Sequence, residues 1–308
     1  MSAIEYEPLW NKSRTFIRRA LVARDAGRFD DFCLWCAVSL ELLGKAMLAR
    51  VHPALVIDPQ DADSLFLACG KAFTVDPRTI IAKTVFARIA RLSKDFDKTQ
   101  VAFCMLMMGR RNADLHSGEL PYEGLNPDTW ASKFWRAAEL MLQANDMSLN
   151  DWVGEVEAAR AAELINLAST VLEQAVEARI ETHRVRFEEA YATDESKTQV
   201  RQQARGGRLV RAMDFGKHAG DTLMSETCPA CQCDGLLSAD RWTEEEGQID
   251  WEAGIEIVKV HYTTLAYRCG VCKIRFDGQE ELSHSHLTLE FDGEEEREVE
   301  YEEPYLNE

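Results

Sequence analysis

Along roughly the first 190 residues, apolar positions recur at spacings of three and four. Beyond about residue 224 they alternate instead. The first pattern predicts helices over 8–27, 29–51, 62–71, 77–94, 98–117 and 127–145, then one long helix over 149–190. Gly27, Pro53, Asp76-Pro77, Gly118 and Pro127 supply the breaks, as residues that end a helix or cannot continue one. On the long helix Leu164, Leu167, Val171, Ala175 and Ala178 form a stripe suited to packing on the helical core or on a second subunit. From Thr193 to Lys217 the chain turns polar and basic, with Gly206-Gly207 as a joint, and reads as an interdomain connector. After Met224, the run Ile255 to Arg268 is rich in Ile, Val, Tyr and Thr and predicts a strand. Leu287 to Phe291 predicts another, with Asp234-Gly235, Asp277-Gly278 and Asp292-Gly293 as turns. The mostly acidic tail from Glu294 to Glu308 is expected to fray. The fold class is therefore mainly α, a helical bundle followed by a small β domain. The expected segments are 1–150, 151–223 and 224–308, and 308 residues suffice for two separate cores.

The predicted helix 98–117 carries the most informative chemistry. Val101 to Met108 contains no charged or hydroxylic residue, so this helix is expected to be buried on nearly all sides. It nevertheless ends in Arg110-Arg111-Asn112-Ala113-Asp114-Leu115-His116-Ser117-Gly118. Arg110 and Asp114, four apart, can pair, which leaves Arg111 without a local partner. Asn112 and His116 are also four apart, so the amide can hydrogen-bond the imidazole. A helix C-terminus at Gly118 favours a cation and suits a histidine that gives or takes protons. Metal-independent RNA cleavage needs a base for the 2′-hydroxyl, a cation for the phosphorane-like charge and an acid for the leaving oxygen. His116 fits the base or acid role, Arg111 the phosphate clamp and Asn112 an orienting role. One helix supplies one of each, and five steps of about 100° set Arg111 and His116 some 140° apart in azimuth. A composite site across a two-fold axis meets both difficulties.

This segment resembles the HEPN superfamily, whose ribonucleases carry an R-x4-6-H motif with a polar residue directly after the arginine. Arg111, Asn112 and His116 match those three positions. Ser39-Leu40-Glu41-Leu42-Leu43-Gly44-Lys45-Ala46 is similar to the lysine-bearing helix of that superfamily, and the resemblance covers residues 1–150. It implies a HEPN-like helical bundle and a metal-independent endoribonuclease. It further implies a homodimer whose two motifs face one cleft, yielding a 2′,3′-cyclic phosphate and a 5′-hydroxyl. The setting implied is that of a toxin or antiviral-defence effector. One subgroup carries a tyrosine two places after the histidine; here that place is Gly118. Three other readings stand beside this one. The domain binds RNA or a nucleotide without cutting it; it is an adaptor whose C-terminal domain recruits a protein; or Arg111 and His116 merely cap a helix.

Cys228-Pro229-Ala230-Cys231 and Cys269-Gly270-Val271-Cys272 form two C-x2-C pairs 37 residues apart. Two such knuckles supply four thiolates for a closed tetrahedral site, so the expectation is one structural zinc per chain and no metal for catalysis. Residues 224–292 resemble zinc ribbons, with Gln232 where ribbons often have glycine. Cys233 reads as a bystander. His284 and His286, alternating on a strand-like segment and pointing the same way, read as surface histidines. Cys33 and Cys36 read as buried small hydrophobes.

Charge changes the picture of the C-terminal domain. The chain carries a net −18, but residues 1–150 account for +1 and 151–220 for −2, which leaves −17 on residues 221–308. Such a domain repels a polyanion and suits a neutralising or sensor protein, or a restraint on the RNA cleft. The near-neutral first segment keeps local basic faces. One comprises Lys12, Arg14, Arg18 and Arg19, the other Arg78, Lys83, Arg88, Arg91, Lys94 and Lys98. With no apolar window approaching about 18 residues and no signal-like N-terminus, the expectation is a soluble, cytoplasmic protein without a membrane partner. Nine cysteines then read as thiols and metal ligands rather than disulfides.

Overall fold

A computed structural model describes residues 3–71, 76–251 and 253–298. The chain divides into two compact units, with the boundary at Thr170/Val171. The first unit holds α1 (Tyr6–Asp25), α2 (Phe29–Val51), α3 (Ala62–Ala68), α4 (Ala82–Ile89), α5 (Lys98–His116), α6 (Pro127–Gln143), α7 (Leu149–Val153) and the start of α8 (Glu155–Ala190). α2 is its axis. Phe32, Cys36, Leu40, Leu43 and Met47 are fully or nearly fully buried in one core with Ile17 of α1, Val85 and Phe86 of α4, and Phe134 and Met141 of α6. By length and composition α2 is also apolar enough to cross a membrane, but 67% of that window is buried inside the unit. Its hydrophobicity is thus used by the core.

Local chemistry sets the helix ends. The Asp97 carboxylate accepts hydrogen bonds from the Thr99 and Gln100 amides at 2.8 and 3.0 Å and starts α5. Asn126 does the same for Thr129, with Pro127 in the first turn of α6; each such cap contributes about 1 kcal/mol. The Trp152 indole N–H donates to the buried Ser13 hydroxyl at 3.0 Å and fastens α7 to α1.

Three helix expectations change. The helix expected over 149–190 is broken by Gly154, whose φ of 85° belongs to the left-handed region that glycine adopts without steric cost. The helix expected over 77–94 shrinks to 82–89, because Ile57 and Thr79 form a β-bridge that holds the residues before it extended. The stripe expected on the long helix is displaced in azimuth. Leu167 and Val171 are 61% and 58% exposed, while Leu172, Val176, Ile180 and Phe187 face the second core.

The second unit is a six-stranded antiparallel sheet with helices laid on it. Its strands are β1 (Thr222–Thr227), β2 (Asp234–Glu244), β3 (Gln248–Asp250), β4 (Ile255–Arg268), β5 (Arg275–Asp277) and β6 (Glu290–Glu298). β4 matches the predicted strand and forms the centre. β2 and β3 pair along one edge of it, β6 and β5 along the other, and β1 lies outside β2. The expected connector is instead folded onto this sheet. It forms α9 (Asp194–Ala204) followed by two 3-10 turns, and Val200, Ala204, Val210 and Phe215 are buried against the sheet and the knuckles. The segment 151–223 is thus divided between the two units at Thr170/Val171. Part of the tail expected to fray, Glu294 to Glu298, belongs to β6; the remainder, from residue 299, lies outside the described residues. The turn expected at Asp292-Gly293 lies within β6, where a Cβ on Gly293 would approach the Tyr262 ring to 3.0 Å.

Candidate functional site

Two groups of residues carry chemistry, one in each unit. In the first, α5 reaches its last turn at His116, and Ser117 rather than Gly118 closes the helix. Arg111 does not lack a partner. Its Nη1 donates to Glu41 Oε2 of α2 at 2.5 Å, and Glu41 Oε1 is 3.0 Å from Lys45 Nζ. Lys45 Nζ also donates to Thr79 Oγ1 at 3.2 Å. All three charged side chains are less than one-fifth exposed. Burial alone would raise the Glu41 pKa; the Lys45 charge and the hydrogen bonds from Arg111 and Lys45 outweigh it and hold the carboxyl below its ordinary range.

Asn112 behaves differently from expectation. Its Oδ1 accepts from Arg111 Nε and Nη2 at 3.2 and 3.1 Å, so the amide fixes the arginine rather than the imidazole. The reason is geometric: the guanidinium, already drawn toward Glu41, presents two N–H groups to the neighbouring amide. Arg111 keeps one N–H on each terminal nitrogen for a ligand. His116 is exposed, and among the described residues no hydrogen bond fixes it.

α5 is less buried than its apolar run implies. Cys104, Met107 and Met108 enter the core, whereas Leu106 is 52% exposed and Ala102 and Gly109 are exposed beside it. A shallow cavity of about 440 Å³ lies on this face, lined by Met105, Leu106, Gly109, Arg110, Ala113, Glu119 and Pro121. On the inner side Tyr122 is buried, and its hydroxyl has no hydrogen-bond partner among the described residues. Burial, then the charges of Asp114 and Cys33, push its pKa up, against the opposing pull of Arg111 and Arg110. Glu41, Thr79 and Tyr122 carried no role in the sequence reading. Glu41 and Lys45, four apart in an otherwise apolar helix, were the available signal.

In the second unit the four expected cysteines converge. The sulfurs of Cys228, Cys231, Cys269 and Cys272 lie within 4.8 Å of one another, with Cys228–Cys272 at 3.6 Å and Cys231–Cys269 at 3.5 Å. A tetrahedral ion with bonds of about 2.3 Å to sulfur requires separations near 3.8 Å, so the donor set fits a structural metal. Hydrogen bonds from the other three thiols hold Cys228 low, and donating those bonds pushes Cys269 and Cys272 up. A cation among them removes that competition by stabilising four thiolates. Each knuckle closes on a residue in the left-handed region, Gln232 at φ 59° and Lys273 at φ 64°. Glycine is thus absent from the two positions whose geometry favours it.

α8 braces both knuckles. His183 Nδ1 lies 2.6 Å from the Cys272 carbonyl, and Arg184 donates to the Pro229 carbonyl at 3.3 Å. The remaining candidates stay outside the cluster. Cys233 is buried with its Sγ 3.7 Å from the Cys231 carbonyl. Cys33 and Cys36 are fully buried in α2, and burial pushes the Cys33 thiol up to about 12, an inert setting. His284 and His286 are not on a strand: His284 follows α10 (Gly278–Ser283), and His286 has φ 61°. Among the described residues the four cysteines are the one cluster suited to a metal.

Comparison of the chain with protein-family models, with curated proteins and with solved structures found no match.

Proposed function

We propose that the first unit is a HEPN-type, metal-independent endoribonuclease in which Arg111 binds the scissile phosphate and His116 transfers protons. The observation that carries this reading is an ordered arginine and an exposed histidine in the last turns of one helix. Glu41 and Asn112 restrain the Arg111 guanidinium and leave it two free N–H groups, and His116 stands open to solvent at the end of the same helix. Preorganised cations aimed at developing charge are among the larger contributors to catalysis. A second copy of the chain, docked on the α5 face of Ala102, Met105, Leu106, Gly109 and Ala113, would bring a second His116 near the first, while each Arg111, on the α2 side of its own helix, would meet the phosphate from beyond the helix end. The exposed Leu106, and Leu120 between the cavity-lining Glu119 and Pro121, give that contact apolar area. Met107 and Met108, in the core, take no part in it.

Zinc is the ion we infer for the four-cysteine site, since four thiolates in two C-x2-C knuckles are its common structural ligand set. When bound it supplies folding energy to the second unit and no catalysis.

The decisive test incubates the full-length protein with total RNA in EDTA, wild type beside His116→Ala and Arg111→Ala. Cleavage by wild type alone, with cyclic-phosphate ends, supports the reading; equal cutting by His116→Ala overturns it. Light scattering that gives a monomer at micromolar concentration removes the two-fold site. The ion pair to Glu41 favours a second reading, in which Arg111 is chiefly structural and the unit is a non-catalytic RNA- or nucleotide-binding dimer, or an adaptor whose ribbon engages a protein. In that case binding and dimerisation survive His116→Ala unchanged and no RNA is cut.

A further inference from the structure

Two residues of the basic face on α1, Arg18 and Arg19, line a cavity away from α5. Arg18, Arg19 and Val22 of α1 meet Arg28, just before α2, and Trp35 of α2 around an open cavity of about 320 Å³. Trp35 is its one aromatic lining residue, and Phe16, outside the lining, packs against it. Phe16 and Trp35 stack with centroids 5.5 Å apart and planes 19° from parallel. The Arg19 guanidinium lies over both, 4.9 Å from the Phe16 centroid and 5.4 Å from that of Trp35. Two ring faces thereby hold a planar cation in place, a contact that contributes about 0.5–1 kcal/mol at an exposed site. The N–H groups of a guanidinium fixed over rings in this way remain free to fork onto a phosphate.

The electrostatics are unbalanced. Arg28 pairs with Asp31 at 2.8 Å, while no carboxylate among the described residues lies within 4.0 Å of Arg18 or Arg19. Part of the apolar lining also stays open: Val22 is 64% exposed, and Trp35, packed on the first core on one side, is only half-buried. An acidic peptide would use the cations and leave this apolar surface uncovered. A nucleotide uses both, with its base on the Val22 and Trp35 surface and its phosphate between Arg18 and Arg19. The volume suits one such group.

The geometry points to a nucleotide-binding site at Arg18, Arg19, Val22, Arg28 and Trp35, occupied by a nucleotide of single-stranded RNA or by a free nucleoside polyphosphate. It lies apart from Arg111 and His116 and does not depend on cleavage.

The test is therefore a binding measurement on the full chain carrying His116→Ala, which keeps RNA intact whether or not the nuclease reading holds. The probe is a fluorescein-labelled single-stranded RNA of about ten nucleotides, with ATP and inorganic tripolyphosphate as competitors. Arg18→Ala/Arg19→Ala should lose at least tenfold in affinity, and its slope of log K against log salt should fall by about 0.7, the value for one phosphate contact on a single strand. Lys83→Ala/Arg91→Ala removes the same charge from a different face and should stay within twofold. Arg19→Lys keeps the charge and loses the planar fork, so an intermediate loss supports the site without disturbing the fold. Affinity that rises with oligonucleotide length assigns the site to RNA; ATP binding as tightly as the oligonucleotide assigns it to a free nucleotide. Equal binding by the two double variants overturns the proposal. Tripolyphosphate competing as well as ATP also overturns it, by reducing the site to a patch for any anion.

Discussion

Glu41 neutralises two cations from different helices, and its removal strands both. Glu41→Ala leaves Arg111 and Lys45 mostly buried and unpaired, and should destabilise the first unit by about 3 kcal/mol. Arg111→Ala is milder, about 1–2 kcal/mol, because Glu41 keeps Lys45. The pH dependence has a definite sign. The folded Glu41 carboxyl titrates below the 4.5 of a free glutamate, so its contribution is complete above that value. It is lost as pH falls through the lowered folded value. The gap between denaturant curves of wild type and Glu41→Gln should therefore be full at pH about 6 and narrow progressively as pH falls below 4.5; a gap that does not change with pH would show that Glu41 is not coupled to its partners. A second residue-scale prediction concerns the knuckles. Gln232 holds a left-handed backbone that costs a side-chain-bearing residue about 1–2 kcal/mol, most of all a β-branched one. With metal bound, Gln232→Gly should equal or exceed wild-type stability, and Gln232→Val should lose about 1–2 kcal/mol on chemical denaturation.

At the scale of elements, legibility followed how strongly each segment declared its own period. α2, α5 and α6 were readable within a residue or two, because apolar spacing coincided with breaks at Gly27, Gly118 and Pro127. α9 was hidden by composition: its residues Asp194–Ala204 are almost all polar, and only Val200 and Ala204 are buried. β6 was hidden by composition as well. Its acidic residues have low strand propensity, and pairing along nine residues of β4 overrides that preference. The four cysteines were legible because ligand spacing is a local property, whereas the Arg111–Glu41 pair joins residues seventy apart in sequence. A metal held by the four cysteines would link these elements energetically. Cys228, Cys231 and Cys269 share one core with Val176, Ile180 and Phe187 of α8 and with Val200 of α9. Chelation should therefore abolish helical circular dichroism from the end of α8 and from α9 together with the sheet signal, while the thermal transition of the first unit persists. Loss of sheet signal alone would show that α8 stands without the sheet.

At the scale of the whole molecule, the boundary at Thr170/Val171 makes an unusual demand on truncation. Sequence composition suggests cutting near Met224, just before the acidic strands begin. A chain ending there keeps Val176, Ile180, Phe187, Val200 and Ala204 but loses Leu237, Tyr267, Ile274 and Phe276, the residues that bury them. Its last fifty or so residues would expose an apolar helical face that the intact protein covers. A chain ending at Thr170 has no such defect. It retains Ala161, Leu164 and Ile165 on the first core, and the Arg24–Glu157 ion pair at 2.7 Å that ties α8 to α1. The shorter truncation should accordingly be the better folded: a single cooperative melt, little binding of a hydrophobic dye, and one sharp species on size-exclusion chromatography. The longer one should bind the dye strongly and aggregate. Equal behaviour of the two would mean that the second half of α8 and α9 are stable without the sheet, and that the second core is not the cooperative unit its packing implies.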